Sequence, residues 1–224
     1  MSKLQLIIGN KNYSSWSMCP WLFMKAAGID FVEQGVKLFT DEWRREIAAL
    51  SPSQLVPVLK DGALVVCDSL AICEYLNERF SSAGGWPDAS DARALARSVS
   101  AQMHFGLDDL RSQLPMNCRA RVSAFQLFDA DQRDIDRIAA MWRDCRQRFG
   151  DDGPWLFGKF SIADAMYAPV VMRFVTYDVA LVGVAQDCAD AVRGHRAVSE
   201  WVRASKAETE VVARTDAVTN AGSE

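Results

Sequence analysis

Two features in the first third of the chain could together hold a short peptide. One is Ser-Pro-Ser-Gln-Leu-Val-Pro-Val-Leu at residues 51–59, in which Pro57 opens an apolar strand. A proline there removes a ladder hydrogen bond. It is tolerated where the preceding backbone is left out of its own sheet, as a cis bond at Val56-Pro57 would allow. Such an edge can pair with a ligand's peptide backbone by strand addition. The other feature is Asp68-Ser69, just ahead of the helical stripe Ile72, Tyr75, Leu76 and Phe80. Side chains and free N–H groups at that helix N-terminus would stabilise a ligand carboxylate. Ser14 and Ser15, ahead of the first helix, bring further hydroxyls and N–H groups together, as helix caps do.

The elements that position these residues follow from periodicity. Leu4, Leu6 and Ile8 alternate with Lys3, Gln5 and Ile7, so a strand is expected, followed by a loop at 9–13. A helix should begin with Pro20 at its first position, run through the apolar stretch 21–27 and stop at Gly28. A second strand at 31–38 and a short helix at 43–50 come next, and then segments 56–59 and 64–67 flank the hairpin signal Asp61-Gly62. The order is βαβ, helix, ββα. Residues 81–90 have linker composition, which divides the chain into a first domain at 1–80 and a helical domain at 91–215, with 216–224 expected to fray. Within the helical part, 91–114 reads as one helix. Ile135, Ile138, Trp142, Cys145 and Phe149 mark the buried face of another, and Ser161-Ile162-Ala163-Asp164 reads as a capping box.

Composition narrows the function. The chain has 224 residues, half of them hydrophobic, and a net charge of -4. That supports a full core and gives no basic footprint for nucleic acid and no polybasic run for a membrane surface. The first residues lead straight into a short strand with no long apolar segment, so a cytoplasmic protein is expected. Six cysteines lie without Cys-x-x-Cys pairs, and His104 and His195 are the only histidines, so no metal site is expected. Cys19, near the first helix start, is either a packing residue, the stronger reading, or a reactive thiol.

Taken together, the βαβ-ββα unit with a proline-headed strand, the linker and the helical Ser-x-x-Asp segment resemble the glutathione transferase superfamily over roughly residues 4–206. Tyr13-Ser14-Ser15-Trp16-Ser17 looks like the Ser-Ser-x-Ser loop of zeta-type transferases and maleylacetoacetate isomerases. The resemblance implies a thioredoxin-like α/β N-terminal domain, an all-α C-terminal domain, a homodimer, and glutathione as co-substrate. It makes Ser14 the first candidate donor to the glutathione thiolate, then Ser15, then Ser17. It implies that Val56, beside Pro57, pairs with the cysteinyl backbone, and that Asp68 and Ser69 hold the γ-glutamyl end. Position 55, where relatives carry Lys, Arg or Gln for the glycine carboxylate, is Leu55, so Gln54 or Lys37 would have to substitute. Relatives also commonly carry arginine where Cys19 stands.

The second substrate, a small electrophile, should meet Trp16 and one side of the first long helix, where His104, Phe105, Asp108 and Arg111 are spaced to line up. Conjugation of glutathione is the expected reaction. The rivals are isomerisation of a maleyl-type diacid, with Arg111 and Arg119 as carboxylate holders, and a non-catalytic binding protein that keeps the fold. The segment 116–119, Met-Asn-Cys-Arg, has no chemistry assigned to it.

Overall fold

A computed structural model describes residues 3–80 and 82–221. The first part is a four-stranded mixed sheet in the order β2-β1-β3-β4, with β1 Leu4–Gly9, β2 Phe31–Val36, β3 Val58–Asp61 and β4 Leu64–Cys67. β1 and β2 run parallel through the crossover helix α1, Ser15–Ala26. β3 lies antiparallel to β1, and β4 returns beside β3 through the expected hairpin. The helices α2, Asp41–Leu50, and α3, Ser69–Arg79, complete this thioredoxin-like unit. The Val56-Pro57 bond is cis, and the ladder starts only at Val58, so Val56 stands outside it.

The rest is helical: α4 Ser90–Phe105, α5 Asp108–Gln113, α6 Asp129–Phe149, α7 Ile162–Thr176, α8 Val184–Gly194, α9 Arg196–Ala207 and α10 Ala213–Ala221. Almost every residue of α7 is buried, which is why its sequence is apolar on all sides. It packs against α1 and α4 and joins both parts of the chain in one core. At its start Asp164 accepts from the Ser161 N–H at 2.9 Å, the Ser161 hydroxyl at 2.9 Å and the Leu156 N–H at 3.0 Å.

Three expectations are corrected. First, α1 begins at Ser15, with Pro20 inside it. The N–H that proline lacks would have met the Trp16 carbonyl, and the Ser69 hydroxyl takes that acceptor instead at 2.7 Å. Second, the helix expected over 91–114 is broken in two. Gly106 caps α4, and Leu107 adopts a left-handed conformation (φ 63°) while burying its side chain in the core. Third, residues 216–221, expected to fray, belong to α10. Asn117 is the reason: its amide donates to Asp216 at 3.0 Å and to Thr219 at 3.2 Å, fastening the helix to the 116–119 segment. Residues 222–224 of that expectation lie outside the described residues.

Candidate functional site

A cleft of about 810 Å³ opens beside the start of α1. Ser14, Ser15 and Trp16 line it from α1, Leu55 and Val56 from the approach to β3, Asp108 and Arg111 from α5, Arg173 from α7, and Arg214 from α10. The structure therefore brings the serine loop, the free strand edge and the helical part to one cavity.

The serines differ in their surroundings. Ser14 is buried at the cleft wall, and its hydroxyl donates to Ser17 Oγ at 2.7 Å. Ser17 is fully buried, accepts the Gly9 N–H at 3.1 Å and does not line the cleft, so the structure does not bring it to the cavity with Ser14 and Ser15. It sits one helical turn beyond Ser14 and points back at the end of β1. Ser15 is half-buried and accepts from Arg173 Nη2 at 3.3 Å.

Arg173 is the residue that sequence reasoning missed. It is buried, and among the described residues its only other bond is from Nη1 to the Pro169 carbonyl at 3.1 Å, with no partner for Nε. No carboxylate pairs with it among the described residues. Burial first, and Arg111 second, hold its guanidinium down to about 10, so it still carries its charge at neutral pH. A signal existed: it is the one basic residue in the otherwise apolar run of α7. A lone buried cation beside a cleft marks a place where an anion is expected.

A chain of contacts leads from the cleft to the start of α3, although His104, Pro57, Asp68 and Ser69 do not themselves line the cleft. Arg111 lies over the Trp16 ring at 4.6 Å, and the His104 ring is 5.2 Å from that indole. His104 Nε2 meets Asp68 Oδ2 at 2.5 Å. Asp68 caps α3 with its other oxygen, accepting from Leu70 and Ala71 N–H groups, at a positive φ of 80°. Asp108 lines the cleft and is 3.5 Å from Arg111. Phe105, the last residue of α4, is 88% exposed and outside the cleft.

Two expected donors for position 55 are not brought there. Lys37 pairs with Glu210 at 3.3 Å, and Gln54 lies outside the cleft lining. Leu55 itself is 62% exposed at the rim. Instead the cleft receives Arg214, 3.9 Å over the Phe39 ring, and Trp43, whose ring is 5.6 Å from Phe39 and whose buried indole N–H has no partner among the described residues. Arg119 is also unavailable as a carboxylate holder. Its guanidinium donates to the Tyr13 hydroxyl at 2.7 Å and to the carbonyls of Glu208 and Glu210. Cys19 is fully buried in the core, and desolvation pushes its thiol far up, in keeping with the packing reading.

Comparison with known proteins matches two family models to this chain. Residues 13–79 match the glutathione S-transferase N-terminal domain and residues 125–204 the glutathione S-transferase C-terminal domain. The chain belongs to the glutathione S-transferase family. Its relatives include glutathione S-transferase 1 of Dianthus caryophyllus, 39% identical over 85 residues, which are 36% of this chain and 38% of that protein. A probable maleylacetoacetate isomerase of Caenorhabditis elegans is 29% identical over 104 residues, 45% of this chain and 49% of that protein. The chain thus spans less than half the length of each of these two relatives. Among solved structures, a glutathione transferase homolog from Burkholderia gl BGR1, with bound glutathione, superposes with a TM-score of 0.71 at 21% identity over 92% of this chain and all of that one. This likeness establishes the fold: a thioredoxin-like domain followed by the family's helical domain. No helix among the described residues is long and apolar enough to cross a membrane.

Proposed function

We propose that this protein is a glutathione transferase that adds the glutathione thiolate to a small electrophile, acting as a cytoplasmic homodimer. The observation that carries this reading is the unpaired Arg173 guanidinium, 3.3 Å from Ser15 in the same cleft wall as Ser14. A free thiol ionises only above neutrality, so the site must supply donors and positive potential to the anion. Ser14 supplies the hydrogen bond. Its hydroxyl and that of Ser17 can exchange donor and acceptor roles, so Ser14 can turn its proton to the thiolate while Ser17 donates into Ser14. Arg173 supplies the potential, so the cysteine at position 19 no longer favours the non-catalytic alternative.

The rest of glutathione runs from this wall toward the start of α3 on one side and Arg214 on the other. The Val56 main chain pairs with the cysteinyl unit by strand addition, with Pro57 heading the strand behind it. The γ-glutamyl carboxylate meets the N-terminus of α3 through the Ser69 N–H, because the Ser69 hydroxyl is committed to Trp16. Its ammonium competes with His104 for Asp68. The glycine carboxylate takes Arg214 and Trp43 in place of a side-chain donor at position 55. The electrophile lies against Trp16, Asp108 and Arg111.

A second reading is glutathione-dependent cis–trans isomerisation of a diacid, favoured by three guanidiniums, Arg111, Arg173 and Arg214, around one cleft. Calorimetric titration with glutathione, followed by conjugation of 1-chloro-2,4-dinitrobenzene, tests the main reading. Binding at millimolar concentration or tighter is expected, with conjugation reduced about 10- to 1000-fold by Ser14→Ala and less by Ser15→Ala. No heat at ~10 mM glutathione would sink it. Turnover of maleylacetone without conjugation would establish the isomerase instead.

A further inference from the structure

The residues just ahead of Ser14 and the segment 116–119 meet the end of the chain in a buried polar network. The Tyr13 hydroxyl donates to the Asp216 carboxylate, 3.0 Å from either oxygen, and accepts from Arg119 Nη2 at 2.7 Å. Asn117 donates to the same carboxylate at 3.0 Å, and its side-chain oxygen accepts from the Asn12 amide at 2.8 Å. The Asn12 oxygen in turn accepts the Arg119 N–H at 2.8 Å. Glu208 adds to the network by accepting the Lys11 and Asn12 N–H groups at 2.7 and 3.0 Å. Asn12, Tyr13 and Asn117 are buried, and such a network fixes geometry because each member is costly to leave unpaired.

This network holds one face of α10 and leaves another to the cleft. Asp216 and Thr219, three positions apart, both take the Asn117 amide. Arg214, Thr215 and Val218 line the cleft instead. Two positions along a helix turn a side chain by about 200°, so anchoring Asp216 inward sends Arg214 toward the cavity. The ring beneath Arg214 is held by an uncommon backbone. Phe39 adopts a left-handed conformation (φ 63°), rare for an aromatic residue, and the guanidinium lies 3.9 Å over its ring. Among the described residues no carboxylate pairs with Arg214.

We propose that Tyr13 and Asp216 are positioning residues, a clasp that holds Arg214 where it selects for a carboxylate on the ligand. This rests on the reading that the glycine carboxylate of glutathione meets Arg214. Asp216 acts through Arg214, because α10 has nine residues, too few to hold a helix in water without tertiary anchors. Release of the clasp frees Arg214 from its place over Phe39, and the carboxylate then loses its partner. The same bond ties the residue ahead of Ser14 to the helix that carries Arg214, so the serine loop and the tail are set relative to each other. The segment 116–119 thereby acquires a role: Asn117 and Arg119 hold the two halves of the clasp together.

Calorimetric titration with glutathione and with its glycine monoethyl ester tests this, because the ester keeps the peptide and removes the one charge that Arg214 would meet. Wild type should bind glutathione about tenfold tighter than the ester, and Arg214→Ala should remove that preference by weakening glutathione alone. Asp216→Ala and Tyr13→Phe should act in the same way and leave the ester's affinity unchanged. The double variant Arg214→Ala/Asp216→Ala should be no weaker than Arg214→Ala. Asp216→Asn, which keeps an acceptor for Tyr13 and Asn117, should retain the preference. Tyr13→Phe preserves the ring's packing and serves if Asp216→Ala impairs folding. If wild type binds both ligands equally, or neither, the glycine carboxylate does not meet Arg214, and that reading and the clasp fall together. If Arg214→Ala abolishes the preference while Asp216→Ala and Tyr13→Phe keep it, the reading stands and the clasp is overturned. Equal weakening of both ligands by the clasp variants would show a structural role alone and overturn it as well.

Discussion

The Ser69 hydroxyl donates to the Trp16 carbonyl at 2.7 Å, the acceptor that Pro20 leaves without a helical partner. A missing N–H on one helix and a hydroxyl on another thus join the N-termini of α1 and α3, the two helix starts that border the candidate site. The sequence at position 69 suggests a ligand donor, whereas the fold uses the hydroxyl as a clip.

Ser69→Ala should therefore cost stability, about 1–3 kcal/mol for a buried carbonyl left unsatisfied, as read by urea unfolding. Pro20→Ala restores an N–H to the Trp16 carbonyl and should recover part of that loss in the double variant. If the two effects simply add, the carbonyl is not what links them.

Arg173→Met should separate function from stability. Removing a buried, unpaired guanidinium should leave the melting temperature unchanged or raised, because the charge costs desolvation with little return. Conjugation should fall about 10- to 1000-fold, and the pKa of bound glutathione's thiol, followed by thiolate absorbance, should rise. An unaltered thiol pKa would show that Arg173 does not act on the thiolate.

Arg214→Ala should weaken glutathione about tenfold in calorimetry, on the order of 1.4 kcal/mol, with little change in turnover at saturation. Leu55→Arg in the same background should restore affinity by supplying a donor from the other side of the cleft. If Arg214→Ala leaves affinity intact, the glycine carboxylate lies elsewhere.

Stability should carry a signature of Asp164. Burial raises its carboxyl from 3.8 to about 6 despite three donors, so between about pH 4 and 6 the folded state holds a proton there that the unfolded state releases. Its contribution is greatest below about pH 4, declines as pH rises to 6 and is constant above, the whole change amounting to no more than about 3 kcal/mol. Asp164→Asn should be destabilised overall, with a deficit relative to wild type that shrinks between pH 4 and 6 in denaturant unfolding. A deficit independent of pH would refute this assignment.

Local signals in the sequence determined the order of strands and helices in the first part, the helical character of the second, and the places of Val56 at a strand edge and Asp68 at a helix cap. These depend on the period-2 and period-3.6 placement of apolar residues and on backbone chemistry within a few positions. Tertiary structure decided the rest. Ser15 meets Arg173 across 158 positions, and Tyr13 reaches Asp216 across 203, so neither the buried cation nor the tail helix that delivers Arg214 has a local signature tying it to the serine loop. Likewise Ser14 and Ser17 are alike as sequence, and only the packing of α1 against β1 turns one to the cleft and the other to the Gly9 N–H. A side chain's direction is set by what its element packs against, which a single chain of letters does not contain.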